Sequence, residues 1–118
     1  MPRATPRSMP RPSEAARRAF RSLVPSEPDV SSRAMFGQLA GFVNGNMFMG
    51  LFGDRLFVRL SEEDRAAVLA QGGDDFTTRG HVMLPDGWAD RPEEAERWVA
   101  VALREGRALP PKPARARS

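Results

Sequence analysis

Residues 35–60 read MFGQLAGFVNGNMFMGLFGDRLFVRL. Two dipeptides, Asn44-Gly45 and Gly53-Asp54, divide this stretch into three apolar runs. Each dipeptide suits a two-residue hairpin turn, because Asn, Asp and Gly tolerate the positive φ that such turns demand. The runs therefore predict three antiparallel strands, roughly 38–43, 46–52 and 55–60. A two-residue turn also fixes register. Across the first turn Val43 faces Asn46, Phe42 faces Met47 and Gly41 faces Phe48. Across the second, Phe52 faces Arg55, Leu51 faces Leu56, Gly50 faces Phe57, Met49 faces Val58 and Phe48 faces Arg59. Opposed residues share a face of the sheet, so this register sorts the side chains. Ala40, Phe42, Met47, Met49, Leu51, Leu56, Val58 and Leu60 form an apolar core face. Leu39, Val43, Phe48, Phe52 and Phe57 form a second face with Arg55 and Arg59. Gly41 and Gly50 lie on it too, each opposite a phenylalanine ring that can cover its backbone.

Outward from this stretch, the flanks read as helices and a short hairpin. Ser13 suits an N-cap, with Glu14 in the first turn; Ala16, Ala19, Phe20 and Leu23 then line one helical face, and Pro25 ends the run. Residues 25–32 read as a loop, and Arg33–Phe36 leads into the sheet. A second helix spans Ser61–Gln71, capped by Ser61 and stopped by Gly72. Asp75–Thr78 and His81–Leu84 read as two short strands around Arg79-Gly80. A last helix begins near Asp90, with Glu93 completing a capping box, and Gly106 stops it. Its apolar stripe is Ala95, Trp98, Val99, Ala102 and Leu103. Trp88 is expected to pack beneath it. The order is α-β-β-β-α-β-β-α. It predicts an α+β domain in two layers, a mostly antiparallel five-stranded sheet with helices on one face.

The pattern Arg33-x-Met35-Phe36-Gly37, then Gly41-Phe42-x-Asn44-Gly45-x-Met47-Phe48, then Gly53-Asp54-x-Leu56-x-Val58-Arg59 resembles the TfoX N-terminal domain family. Trp98 and the run Leu109-Pro110-Pro111-Lys112-Pro113 resemble the short, stand-alone members. The resemblance implies a secretion-chaperone-like fold, with the last two strands extending the same sheet. It implies no enzymatic activity. Longer relatives regulate competence for DNA uptake; these 118 residues hold no second domain, so that role is not carried over.

Charge divides the chain into three. Residues 1–12 hold three arginines and no acid, and residues 107–118 hold four basic residues and no acid. Between them, residues 13–106 hold 11 basic and 15 acidic residues. The excess positive charge thus belongs to two Pro-rich segments expected to be disordered tails, and the 13–106 domain is mildly acidic. No apolar segment follows the basic N-terminus as a secretory leader requires, and none reaches transmembrane length. With no cysteine, the reading is cytoplasmic, with no thiol chemistry, thiolate metal site or disulfide.

The remaining motifs carry no chemistry. The glycines between 37 and 53 lie in strands and turns, and no Gly-Lys-Ser/Thr follows to hold a phosphate. Glu62, Glu63 and Asp64 diverge around a helix, which suits a capped terminus better than a metal. His81 is the single histidine and reads as structural. Asp74 and Asp75 adjoin on a strand and point to opposite faces, which spoils acid–base geometry. Ser31-Ser32 has no base beside it in sequence. No catalytic, metal or cofactor residue is expected, and no small-molecule ligand. The expected working surface is the second sheet face: Phe48, Phe52 and Phe57, with Arg55 and Arg59 on the rim. It suits a homodimer or a protein partner in a regulatory or interaction role. The alternative is single-stranded nucleic acid, with bases stacked on the phenylalanines and the basic tails adding attraction.

Overall fold

The computed structural model describes residues 11–35, 37–76 and 80–111. Strands β2 (Gln38–Val43), β3 (Asn46–Phe52) and β4 (Arg55–Arg59) follow the three apolar runs. Asn44 (φ 52°) and Gly45 (φ 82°) make the first turn, and Gly53 (φ 60°) opens the second. The expected hairpins therefore form, with left-handed backbone where Asn and Gly permit it.

Among the described residues the sheet has six strands, not five. Val30–Met35 forms β1, which pairs with β2 from Val30↔Val43 to Met35↔Gln38. Residues 30–32, expected at the end of a loop, are strand: a hairpin through Gly37 (φ 81°) delivers them to β2, and pairing overrides the weak strand propensity of serine. β5 (Asp74–Asp75) and β6 (His81–Met83) do extend the same sheet. The strand order is β1-β2-β3-β4-β6-β5, every neighbouring pair antiparallel. Residues 77–78 of the expected fourth strand and Arg79 of the turn after it lie outside the described residues, as do 1–10 and 112–118 of the two expected tails.

The helices pack on one face. In α1 (Glu14–Leu23), the Ser13 side chain accepts from the Ala16 N–H, and Ala16, Phe20 and Leu23 are buried. In α2 (Glu62–Ala70), Ser61 caps Asp64 in the same way and Val68 is the buried residue. The third helix, α3 (Pro92–Arg107), departs from expectation at both ends. Asp90 is not its cap: it closes a 3₁₀ turn, Trp88–Asp90, and Arg91 (φ −128°) precedes the helix. Proline at position 92 bars the residue before it from helical backbone, which moves the start. Nor does Gly106 stop the helix. It lies inside, buried, where a Cβ would come within 2.8 Å of Val43 Cγ1. Its lack of a side chain lets helix and sheet approach.

One core joins the layers. It holds Phe20 and Leu23, Val68, Val99 and Leu103 from the helices against Val43, Phe48, Met49, Leu51, Leu56, Val58 and Val82 from the sheet. Trp88 is buried beneath α3 and donates its indole N–H to the Asp54 carbonyl at 2.8 Å. Trp98 only half enters the core. Beyond residue 106 the chain stays attached: Arg107 pairs with Asp29 (2.7 Å) and Glu27 (3.0 Å), and Asn46 Nδ2 donates to the Pro110 carbonyl at 3.1 Å.

Candidate functional site

The face of the sheet away from the helices is shaped by one irregularity. From the second turn, register runs as expected: Phe52↔Arg55, Leu51↔Leu56, Gly50↔Phe57, Met49↔Val58. From the first turn, Val43↔Asn46 and Phe42↔Met47 also hold, but the next pairs are Gly41↔Met49 and Ala40↔Gly50. Phe48 is therefore an extra residue, a β-bulge. An extra residue flips the side-chain alternation on one side of it. Phe48 and Met49 both turn into the core, fully buried. Gly41 makes room for them, since a Cβ there would lie 2.8 Å from Met49 Cγ and 3.5 Å from the Phe48 ring.

The bulge exchanges the faces of the first hairpin. Val43 and Phe48, expected on the second face, are core, and Leu39 packs against that core. Ala40, Phe42 and Met47, expected in the core, lie on the outer face by alternation and pairing. Phe48 is thus removed from the expected working surface.

Phe52 and Phe57 do share the outer face, and Phe76 joins them. Phe57 stacks on Phe76 with ring centroids 4.7 Å apart, and Phe52 meets Phe76 edge-on at 5.5 Å. Buried His81 stands edge-on to Phe57 at 5.2 Å. The Phe57 ring also lies over Gly50, as the opposition of the two implied. Phe57 is consequently only 6% exposed, a floor residue and not the open centre expected of it. Met47, Phe52, Phe76 and Met83 are half-buried on the same face.

The arginines are arranged differently from expectation. Arg55 is engaged by carboxylates and does not stand as an open rim: it bonds Asp74 at 2.8 Å, lies 3.3 Å from Asp86 and donates to the Leu84 carbonyl at 2.9 Å. Arg59 is half-buried beside Gly80, on the rim of a cleft of about 420 Å³ that Leu60, Ser61, Glu105 and Leu109 also line. The arginine over a ring is Arg33, whose guanidinium carbon sits 4.2 Å from the Phe42 centroid. Arg33 lies in the part of β1 expected to lead into the sheet, while the first half of that strand was expected to be loop.

The adjoining aspartates of β5 are engaged in ion pairs. Asp74 is held by Arg55, and Asp75 by Arg65 at 3.0 Å. Ser31 and Ser32 lie exposed on β1. Among the described residues the carboxyl driven upward is that of Glu105, which accepts the Ser61 N–H at 2.6 Å. Its desolvation, and then the Asp64 carboxylate bonded to it, raise it above the ordinary glutamate value.

The TfoX N-terminal domain model matches residues 22–106, most of the chain. The chain belongs to the TfoX N-terminal domain family. Its matched segment starts within α1 and includes the whole sheet, the bulge and nearly all of α3. The family is in general non-catalytic. Comparison with curated proteins finds no match. Among the described residues of this TfoX N-terminal domain, no helix is long and apolar enough to cross a membrane.

The sequence carried a signal for the bulge. Met47-Phe48-Met49 is an unbroken apolar triplet in a strand whose alternation should have exposed its middle residue. Gly41 stands opposite it, and a strand glycine often marks a bulge. Phe76 and Met83 had no such mark, because their place on the face depends on β6 pairing with β4.

Proposed function

We propose that this TfoX N-terminal domain is a non-catalytic protein-interaction module with a regulatory role. Its working surface is the helix-free face of the sheet. The observation that supports this reading is the composition of that face: half-buried Met47, Phe52, Phe76 and Met83 around a floor of Phe42 and Phe57. Aromatic and methionine side chains at the centre with arginine at the edge match the make-up of protein interfaces, and methionine adapts its shape to a partner. Nucleic acid is a weaker fit. Arg55 is already bonded by carboxylates and Arg33 lies flat on Phe42, so neither guanidinium stands free for a phosphate.

Affinity capture from extracts of the source cell tests this, comparing the wild type with Phe52→Ser, with and without nuclease. A protein retained by the wild type after nuclease and lost from the folded variant supports the reading. Retention of nucleic acid, with no protein that depends on Phe52, overturns it.

A further inference from the structure

We propose that β1 is the edge through which two copies of this chain join, antiparallel about a twofold axis at Ser32, so that two six-stranded sheets run on as one. This pairing is separate from the partner face and stands or falls independently of it.

The two edges of the sheet are unlike. β5 is two residues long, and both are aspartates engaged by arginines. A short, charged edge resists further pairing. β1 is six residues long and has no proline, and Ser31, Ser32, Arg33 and Ala34 are exposed. Its one charge, Arg33, is laid over Phe42 and does not guard the edge. An edge that can pair only with its own kind closes at a dimer and does not propagate.

Backbone geometry selects the register. The Asn44 N–H donates to the Asp29 carbonyl at 3.2 Å, continuing the β1–β2 register by one residue. Hydrogen-bonded pairs alternate in an antiparallel ladder, so residues 29, 31, 33 and 35 turn their backbone groups toward β2. Ser32 and Ala34 turn theirs outward. Val30 does so with its carbonyl, its N–H being taken by Glu27 at 3.0 Å. Outward residues must oppose outward residues. An axis at Arg33 would set guanidinium against guanidinium, which repels. An axis at Ala34 would overlap only the end of the strand. The axis at Ser32 sets Ser32 against its own copy, Val30 against Ala34 and Ser31 against Arg33. It forms about four interchain hydrogen bonds and opposes no like charges.

The absence of cysteine makes the register directly readable. Across such an axis the two residue-32 Cα atoms stand roughly 5.5 Å apart, within disulfide reach. Under mild oxidation Ser32→Cys should give a covalent dimer, and Ser31→Cys, which faces Arg33, should stay largely unlinked. Sedimentation equilibrium of the cysteine-free full chain should show a reversible dimer in the micromolar range. Ser32→Pro, which deletes an outward N–H and no bond to β2, should abolish it. Equal cross-linking at 31 and 32, a wild type monomeric throughout that range, or a dimer that survives Ser32→Pro would overturn the proposal. If Ser32→Pro fails to fold, the paired cysteine variants decide alone.

Discussion

Phe57 shows how burial, and not face alone, decides what a residue can do. Read as an exposed aromatic, it should be expendable to the fold. Stacked on Phe76 and lying over Gly50, it is structural. Phe57→Ser should cost about 3–5 kcal/mol of stability in urea unfolding, the range for losing a buried phenylalanine. Half-buried Phe52→Ser should cost clearly less. Gly50→Ala should cost about 1–3 kcal/mol, because the new methyl must displace the Phe57 ring. Glu105 offers a test by pH. Its folded carboxyl holds its proton more tightly than the unfolded one, so stability is lost as pH rises from the ordinary glutamate value through the raised one. Asp29, lowered by the hydrogen bond from Arg107, acts oppositely: its contribution is present above the ordinary aspartate value and is lost as pH falls through the lowered one. Glu105→Gln keeps an acceptor for the Ser61 N–H and gives Asp64 a donor. Across the weakly acidic range the wild-type melting temperature should therefore fall, relative to that of Glu105→Gln, as pH rises through the raised Glu105 value; an equal pH dependence in the two proteins would contradict this.

At the scale of elements, the sequence was most legible where local chemistry decides. Ser13 and Ser61 are caps because a hydroxyl can satisfy an otherwise unpaired helix N–H, and both were identifiable from their neighbours. Ser61→Ala should lower stability by about 1 kcal/mol in thermal unfolding, with the loss greatest in α2 amide protection. The two central turns were equally plain. What could not be read was decided by pairing and packing across the ladder, which no single-strand pattern shows. β1 is a strand because β2 lies beside it, and Phe48 is core because Gly41 leaves space across the ladder. Of the expected working surface, Phe48 left the face for that second reason, with Leu39 and Val43 beside it. Phe52 and Phe57 lie on the far side of the bulge, where the alternation from the second turn holds, and they were placed correctly. Phe48 lies at the bulge and was not. Arg55 was placed on the right face but not with its partners, since Asp74 and Asp86 come from segments whose docking no local pattern encodes.

The whole molecule is a sheet with one face committed to three helices and one face left to aromatic and methionine side chains. Its described contacts lie within residues 11–111, including buried Pro12 and the Pro110 carbonyl that Asn46 holds. A chain trimmed to those residues should melt within a few degrees of the full protein; a large drop would mean that the removed segments are docked. The division of faces is best tested through methionine, since Met47 and Met83 lie on the outer face and Met49 is sealed in the core. With methyl-labelled methionine, NMR spectra can be recorded as the protein retained in the capture experiment is added. The Met47 and Met83 methyl signals should shift or broaden on binding while Met49 stays in place. Binding that leaves both outer methyls unmoved would contradict the assignment of this face as the working surface.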